Sequence, residues 1–160
     1  VLQGGAMGSV GLDNYKFNMT ANCQAPFEVM MHSIPHLKKQ KYAYPSIINV
    51  SSVNGKQAFA GCAAYCMSKA ALDQLTRCAS VDLAKDGIRV NAVAPGPIWT
   101  PLIPASFDKD KVARFGGQGP MDRAGQPSEV APAYVYLASA DGSYVSGQTL
   151  HVNGGVILNT

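Results

Sequence analysis

The sequence predicts an α/β fold built on an open, doubly wound parallel sheet that is only partly represented. Two observations carry this expectation. Segments of helical length and periodicity alternate with short apolar runs bounded by turn residues, the pattern of βαβ units with a parallel sheet. The runs are also few: three strands are too few for such a sheet with both faces covered, so part of the fold is expected to be missing.

Taken in order, residues 1–13 are glycine-rich and read as a loop or a cut chain. Between 14 and 37, Phe17, Ala21, Ala25, Val29 and Leu37 recur at helical spacing, with Pro26 and Pro35 interrupting the pattern. Residues 42–46 read as a turn, and Ile47-Ile48-Asn49-Val50 as a short strand. A loop through Gly55 and Gly61 leads to a helix over 64–85, with Met67, Ala71, Leu75 and Cys78 on one face. Gly87 is placed to end it as a left-handed cap. A second strand covers 88–93 and is closed by Pro95-Gly96-Pro97; a Pro- and Gly-rich excursion with short helical stretches fills 98–126. The third helix, 127–139, opens on a proline, with Glu129 complementing the positive end of its dipole. Residues 149–152 form the last strand, ahead of Gly154-Gly155.

Composition narrows the function classes. The chain has 160 residues, 47% hydrophobic and 14% charged, with a formal net charge of +3, which suits a globular domain with a real core. The densest basic cluster, Lys38, Lys39 and Lys41, is the size of a solvated helix end, so neither nucleic acid nor membrane is an expected partner. No apolar run approaches the ~20 residues needed to span a bilayer, and no leader-like segment opens the chain. Cys23, Cys62, Cys66 and Cys78 form no C-x-x-C pair and read as free thiols of a reducing cytoplasm. His32, His36 and His151 make no metal set.

The candidate chemistry centres on Tyr65 and Lys69. Their i, i+4 spacing puts both on one helix face, with β-carbons roughly 6 Å apart. A tyrosine that exchanges a proton near neutral pH needs its pKa lowered, and an ammonium one turn away can do that. Ser52 lies thirteen residues before Tyr65, at the carboxyl end of the first strand, where parallel sheets present functional groups. Asn22 precedes Pro26 by four; proline has no N–H, so the Asn22 carbonyl loses its helical donor. Pro95-Gly96-Pro97-Ile98-Trp99-Thr100 forms a turn that can bring backbone close to a ligand.

In this order and spacing, Ser52, Tyr65-x-x-x-Lys69, Gly87-Ile88-Arg89-Val90-Asn91 and Pro95-Gly96-x-x-x-Thr100 resemble the short-chain dehydrogenase/reductase family over residues 14–155. The resemblance implies a Rossmann-like fold and an NAD- or NADP-dependent oxidoreductase that interconverts a secondary alcohol and a ketone by hydride transfer. Tyr65 would be the acid/base, Ser52 would hold the substrate oxygen, and Lys69 would bind the nicotinamide ribose. Asn22 would hold a water through its main chain. Tyr65, Lys69, Pro95, Gly96, Ile98 and Thr100 would contact the cofactor. A homodimer or homotetramer is implied for the complete protein, through the helices at 14–37 and 64–85.

Family members begin with a strand and a glycine-rich turn that cradles a pyrophosphate, and Gly4-Gly5-Ala6-Met7-Gly8 does not fit that role. The resemblance therefore implies that residues 1–160 are the C-terminal portion of a single dinucleotide-binding domain. The residue that selects NAD or NADP would lie in the other portion. The stretches 49–55 and 64–69 are similar to animal members, whereas 93–104 and 147–155 are similar to bacterial general-stress dehydrogenases. The alternative function is a truncated or split-gene fragment without turnover, at most a helix-mediated association module. Trp99, Phe107 and Phe115 read either as an apolar substrate lid or as local core.

Overall fold

The computed structural model describes residues 1–40 and 44–158. Lys41 and residues 42 and 43 of the expected turn over 42–46 lie outside the described residues. The chain runs α1 (Leu12–Met19), a π-helical turn (Thr20–Gln24), α2 (Ala25–Leu37), β1 (Ser46–Val50), α3 (Ala63–Asp82), β2 (Arg89–Pro95), α4 (Leu102–Ser106), α5 (Lys109–Ala113), α6 (Pro127–Ala138) and β3 (Thr149–Val152). The strands form one parallel sheet in the order β1-β2-β3, with Ile47 opposite Val90 and Val93 opposite Leu150.

Both sheet faces are covered, even with three strands. Neighbouring strand residues point to opposite faces, so Ile47 and Ile48 feed different cores. Ile47 and Val90 pack with Met30, Ile34, Ala79 and Leu83 beneath α2 and α3. Ile48, Val93 and Val152 pack with Val130 and Leu137 beneath α6. β2 is buried along nearly its whole length, which explains its unbroken small and apolar character. Among the described residues β1 pairs only with β2, so its other edge is open.

Element ends follow local chemistry. α6 begins at Pro127, and Glu129 accepts from the Gln126 N–H at 2.8 Å, a capping box. α3 gives way to a 3₁₀ turn, Ala84–Asp86, that Gly87 ends at φ 71° as the predicted left-handed cap. β2 runs two residues further than expected, through Pro95, because pairing with β3 extends to Val152. The first helix starts at Leu12, with Asp13 in its first turn, and Pro26 and Pro35 do not break it. Instead of stopping, the backbone widens to a π turn just before Pro26.

The larger departure is in which helix faces are buried. Phe17 is 48% and Val29 65% exposed, while Asn18 is 0% and Met30 4% exposed. Phe17 and Val29 are thus surface; the inner face is polar in α1 and the π turn, through Asn18 and Asn22, and apolar in α2, where Met30, Ile34 and the expected Leu37 pack into the core. Asn14, Asn18 and Asn22 donate to the carbonyls of Gly4, Gln3 and Val1 at 2.9, 3.0 and 2.9 Å, pinning the leading segment along the helix. α3 repeats the inversion: Met67 is exposed, and Ser68, Lys69, Asp73, Thr76 and Ser80 are buried. Leu75 alone of the expected apolar face packs into the core; Cys78 is exposed. Polar groups are tolerated inside because they are paired, as in the Asn49 amide to Thr76 Oγ1 bond at 2.9 Å.

Candidate active site

The carboxyl ends of parallel strands share one edge, and here that edge gathers the candidate side chains. β1 delivers Ser51, whose N–H still pairs with the Val93 carbonyl at 2.8 Å. Ser52 follows in extended conformation and caps the 3₁₀ turn Val53–Gly55, accepting from the Asn54 N–H at 3.2 Å. Tyr65 stands in the first turn of α3, with Cys62 as N-cap. Its hydroxyl faces the Ser52 side chain closely enough for that hydroxyl to act on its pKa. Lys69, one turn on and buried, donates from Nζ to the Val50 carbonyl at 2.7 Å and lies 5.8 Å from the centre of the Tyr65 ring. Ser52, Tyr65 and Lys69 are therefore brought together as the sequence spacing predicts.

The electrostatics differ from the sequence expectation. Burial pushes the Tyr65 hydroxyl above its usual value; the facing Ser52 side chain opposes this, and Cys66 and Cys62 add to it. Burial lowers the Lys69 pKa, with Asp73 opposing. Tyr65 is therefore a neutral phenol at neutral pH, a form that donates a proton.

Asn22 enters in two ways. Its carbonyl lies in the π turn, four residues before the proline that cannot donate to it. Its side chain, unanticipated, donates to Ser68 Oγ at 3.1 Å, and Ser68 donates to the Tyr65 carbonyl at 2.7 Å. Ser68 is the residue that sequence reasoning missed. Its i+3 spacing from Tyr65 was visible, but its complete burial was not.

Pro95, Gly96, Ile98 and Thr100 reach the same edge from β2. A β-carbon on Gly96 would come within 2.7 Å of the Asn153 α-carbon, so glycine is required for β2 to approach the end of β3. The close approach seen at this turn is thus to neighbouring chain. Trp99 and Pro97 exchange backbone hydrogen bonds with Gly125 at 2.8 and 2.9 Å, which holds Ile98 half-buried against the α6 core. The Thr100 carbonyl accepts from Ile103 at the start of α4. Phe115 lies between the other two rings, stacked on Phe107 and tilted against Trp99, with a centroid separation of 6.3 Å in each pair. A cavity of about 420 Å³ opens between the leading loop, the turn before α3 and the α4–α5 segment, lined by Gln3, Gly61, Cys62, Ala105, Phe107 and Lys111 among others.

These residues fit one end of a nicotinamide dinucleotide. A serine, a tyrosine and a buried lysine suit a carbonyl or alcohol beside a ribose. No pyrophosphate cradle accompanies them among the described residues. Gly5 pairs with Gly61 at 2.7 Å, and the Ser9 and Val10 N–H groups are spent on the Ala6 carbonyl. The segment Gly4-Gly5-Ala6-Met7-Gly8 forms a turn closed on the Ala6 carbonyl, and α1 does not begin until Leu12.

The fold and this edge define a Rossmann-like α/β protein. Residues 3–157 match the family model described as enoyl-(acyl carrier protein) reductase. The chain is 61% identical over 114 residues to a glucose and ribitol dehydrogenase homolog of Oryza sativa subsp. japonica, covering 71% of this chain and 38% of the relative. It is 48% identical over 139 residues to general stress protein 39 of Bacillus subtilis, covering 87% of this chain and 47% of that one. Among solved structures, the aldohexose dehydrogenase AldT of Thermoplasma acidophilum superposes with a TM-score of 0.88 at 29% identity, over 100% of this chain and 67% of that one. The chain belongs to the short-chain dehydrogenase/reductase family. It spans less than half the length of these two curated relatives.

Proposed function

We propose that the protein carrying this chain is an NAD(P)-dependent oxidoreductase that interconverts a secondary alcohol and a ketone, and that residues 1–160 form the C-terminal portion of its single dinucleotide-binding domain. The observation that carries this reading is the Tyr65–Ser52 hydroxyl pair with Lys69 beside it at the carboxyl edge of a parallel sheet. The substrate enters the cavity beside Cys62, next to the helix turn that holds Tyr65. Its oxygen takes the place between the two hydroxyls. In reduction Ser52 donates a hydrogen bond to the carbonyl, and the neutral Tyr65 phenol gives up its proton to the same oxygen. Lys69 favours the phenolate that results and binds the nicotinamide ribose. Pro95, Gly96, Ile98 and Thr100 line the nicotinamide side, and the Asn22 carbonyl orders a water toward Lys69. The nicotinamide, when bound, supplies or accepts the hydride.

Relatives named for glucose, ribitol and aldohexose oxidation support a small polyhydroxylated alcohol as substrate class. The test is Tyr65→Phe in the full-length protein. Turnover should fall by about a thousandfold or more with cofactor affinity nearly unchanged, since the hydroxyl acts on the proton in the transition state. Near wild-type turnover would overturn the assignment.

A second reading is favoured by the exposed stripe. Phe17, Phe27, Val29 and Met31 on α1 and α2, with Met67 on α3, present an apolar surface suited to a symmetric helix pair. In this reading the 160-residue chain by itself makes no turnover and only associates with a second copy. Calorimetric titration of the isolated chain with NAD(H) and NADP(H) should then show no saturation below about 1 mM. Micromolar binding would refute that reading.

A further inference from the structure

α3 carries a second buried charge that the proposed chemistry does not use. Asp73 lies one helical turn beyond Lys69 and is 6% exposed. An acidic residue so deep in a protein normally sits on a cation or on several hydrogen bonds. Asp73 Oδ1 has no hydrogen-bond partner. The Ser51 hydroxyl faces the carboxylate without completing a hydrogen bond of good geometry. The charged and titratable groups that face Asp73 are Arg77 and Lys69 on its own helix and His151 on β3, with Lys56 beyond His151. Of these, Lys69 is the buried one and belongs to the candidate site.

The other Asp73 oxygen presses on the turn that follows Ser52. A β-carbon at Gly55 would come within 2.4 Å of Asp73 Oδ2 and within 3.1 Å of the Lys69 carbonyl. Gly55 therefore lets the 3₁₀ turn Val53–Gly55, capped by Ser52, settle onto the Lys69–Asp73 stretch of α3. One carboxylate thus meets both halves of the site: the helix that holds Tyr65 and Lys69, and the turn that holds Ser52.

We infer that Asp73 is a positioning residue of this site, whose buried carboxylate keeps Lys69 in its ammonium form and seats the Ser52 turn at Gly55. The inference rests on the proposed acid/base reading of Tyr65 and Lys69. Burial disfavours the ammonium of Lys69, and the Val50 carbonyl satisfies only one of its three protons. Asp73 supplies the opposite charge that works against this loss. Burial likewise raises the Asp73 pKa, opposed by Ser51, Arg77, His151 and Lys69 in that order. Asp73, one helical turn away, is the charge that opposes the burial of Lys69, while Lys69 is the smallest of the influences on Asp73.

The test is an NMR titration of the Lys69 side chain in the protein, assigned with Lys69→Arg and repeated in Asp73→Asn. Asparagine keeps the shape and the contact with Ser51 but removes the charge. The Lys69 pKa should fall by about one unit, a tenfold shift toward the neutral amine. A shift below about 0.3 unit in a folded variant would overturn the inference and leave Asp73 a packing residue. Should Asp73→Asn fail to fold, the wild-type titration still decides: the Lys69 signal should show a second, acid inflection as Asp73 protonates, and its absence overturns the inference. In a full-length form able to turn over, Asp73→Asn should bring the alkaline fall of kcat to lower pH by the same unit. A purely structural role would scale the whole profile. The titration needs no turnover, so its failure is distinguishable from failure of the Tyr65 assignment.

Discussion

The Asn22 amide donates to Ser68 Oγ at 3.1 Å, joining the π turn of the first helix to the helix that holds Tyr65. Both amide protons are used, the second by the Val1 carbonyl at 2.9 Å, and Ser68 passes its own proton to the Tyr65 carbonyl. Ser68→Ala leaves one buried amide proton without a partner and frees the first turn of α3. The expected loss is about 1–2 kcal/mol, read by urea denaturation. A loss under about 0.3 kcal/mol would show that the Asn22–Ser68 contact adds nothing net.

Lys69→Ala should separate from Tyr65→Phe. Loss of the ammonium removes the Val50 tether and the proposed ribose contact together. In the full-length enzyme cofactor affinity should drop about tenfold or more, whereas Tyr65→Phe leaves it nearly intact. Equal cofactor dissociation constants for wild type and Lys69→Ala would contradict the ribose contact.

Arg89 is a buried cation bound by carbonyls rather than a carboxylate. Its Nη1 donates to Leu137 and Gly142 at 2.7 and 2.9 Å, closing the carboxyl end of α6 and the turn after it onto β2. Cations suit helix carboxyl ends. Arg89→Met abandons those carbonyls and should cost about 2 kcal/mol or more in chemical denaturation, with no direct effect on Tyr65 chemistry. An unchanged denaturation midpoint would refute the role assigned to Arg89.

At the start of α6, Glu129 pairs with Arg123 at 2.7 Å and caps the Gln126 N–H. The Arg123 side chain first, then the Gln126 N–H, hold its carboxyl at about 2, below its ordinary value of 4.5. A depressed folded pKa means that this contribution is present above 4.5 and is lost as pH falls through about 2. An NMR titration should find the low value in the wild type. Arg123→Ala should return it toward 4.5, the backbone bond holding part of the shift. A carboxyl titrating near 4.5 in both proteins would contradict the pairing.

The strands were legible because short apolar runs bounded by turn residues leave little choice: 149–152 fell on β3, and 47–50 missed β1 by one residue. Gly87 as a left-handed cap and Pro127 as the first residue of α6 were legible for the same local reason. The buried helix faces were not. Hydropathy pointed to Phe17, Val29 and Met67 as core, yet Asn18, Asn22 and Ser68 went inside. A polar side chain is buried only when partners far along the chain accept its protons, and those partners, such as the Gln3 carbonyl for Asn18, carry no mark in the sequence.

The sequence by itself determined the alternation of strands and helices, the one-face spacing of Tyr65 and Lys69, and the placing of Ser52 at a strand end. These are properties of periods and of short-range geometry, which a few neighbouring residues specify. Only the tertiary structure decided that the Tyr65 hydroxyl faces Ser52, that its pKa rises rather than falls, and that Asp73 stands buried against Gly55. Those outcomes depend on how much water each group loses and on which distant chain segment replaces it, and packing alone sets both.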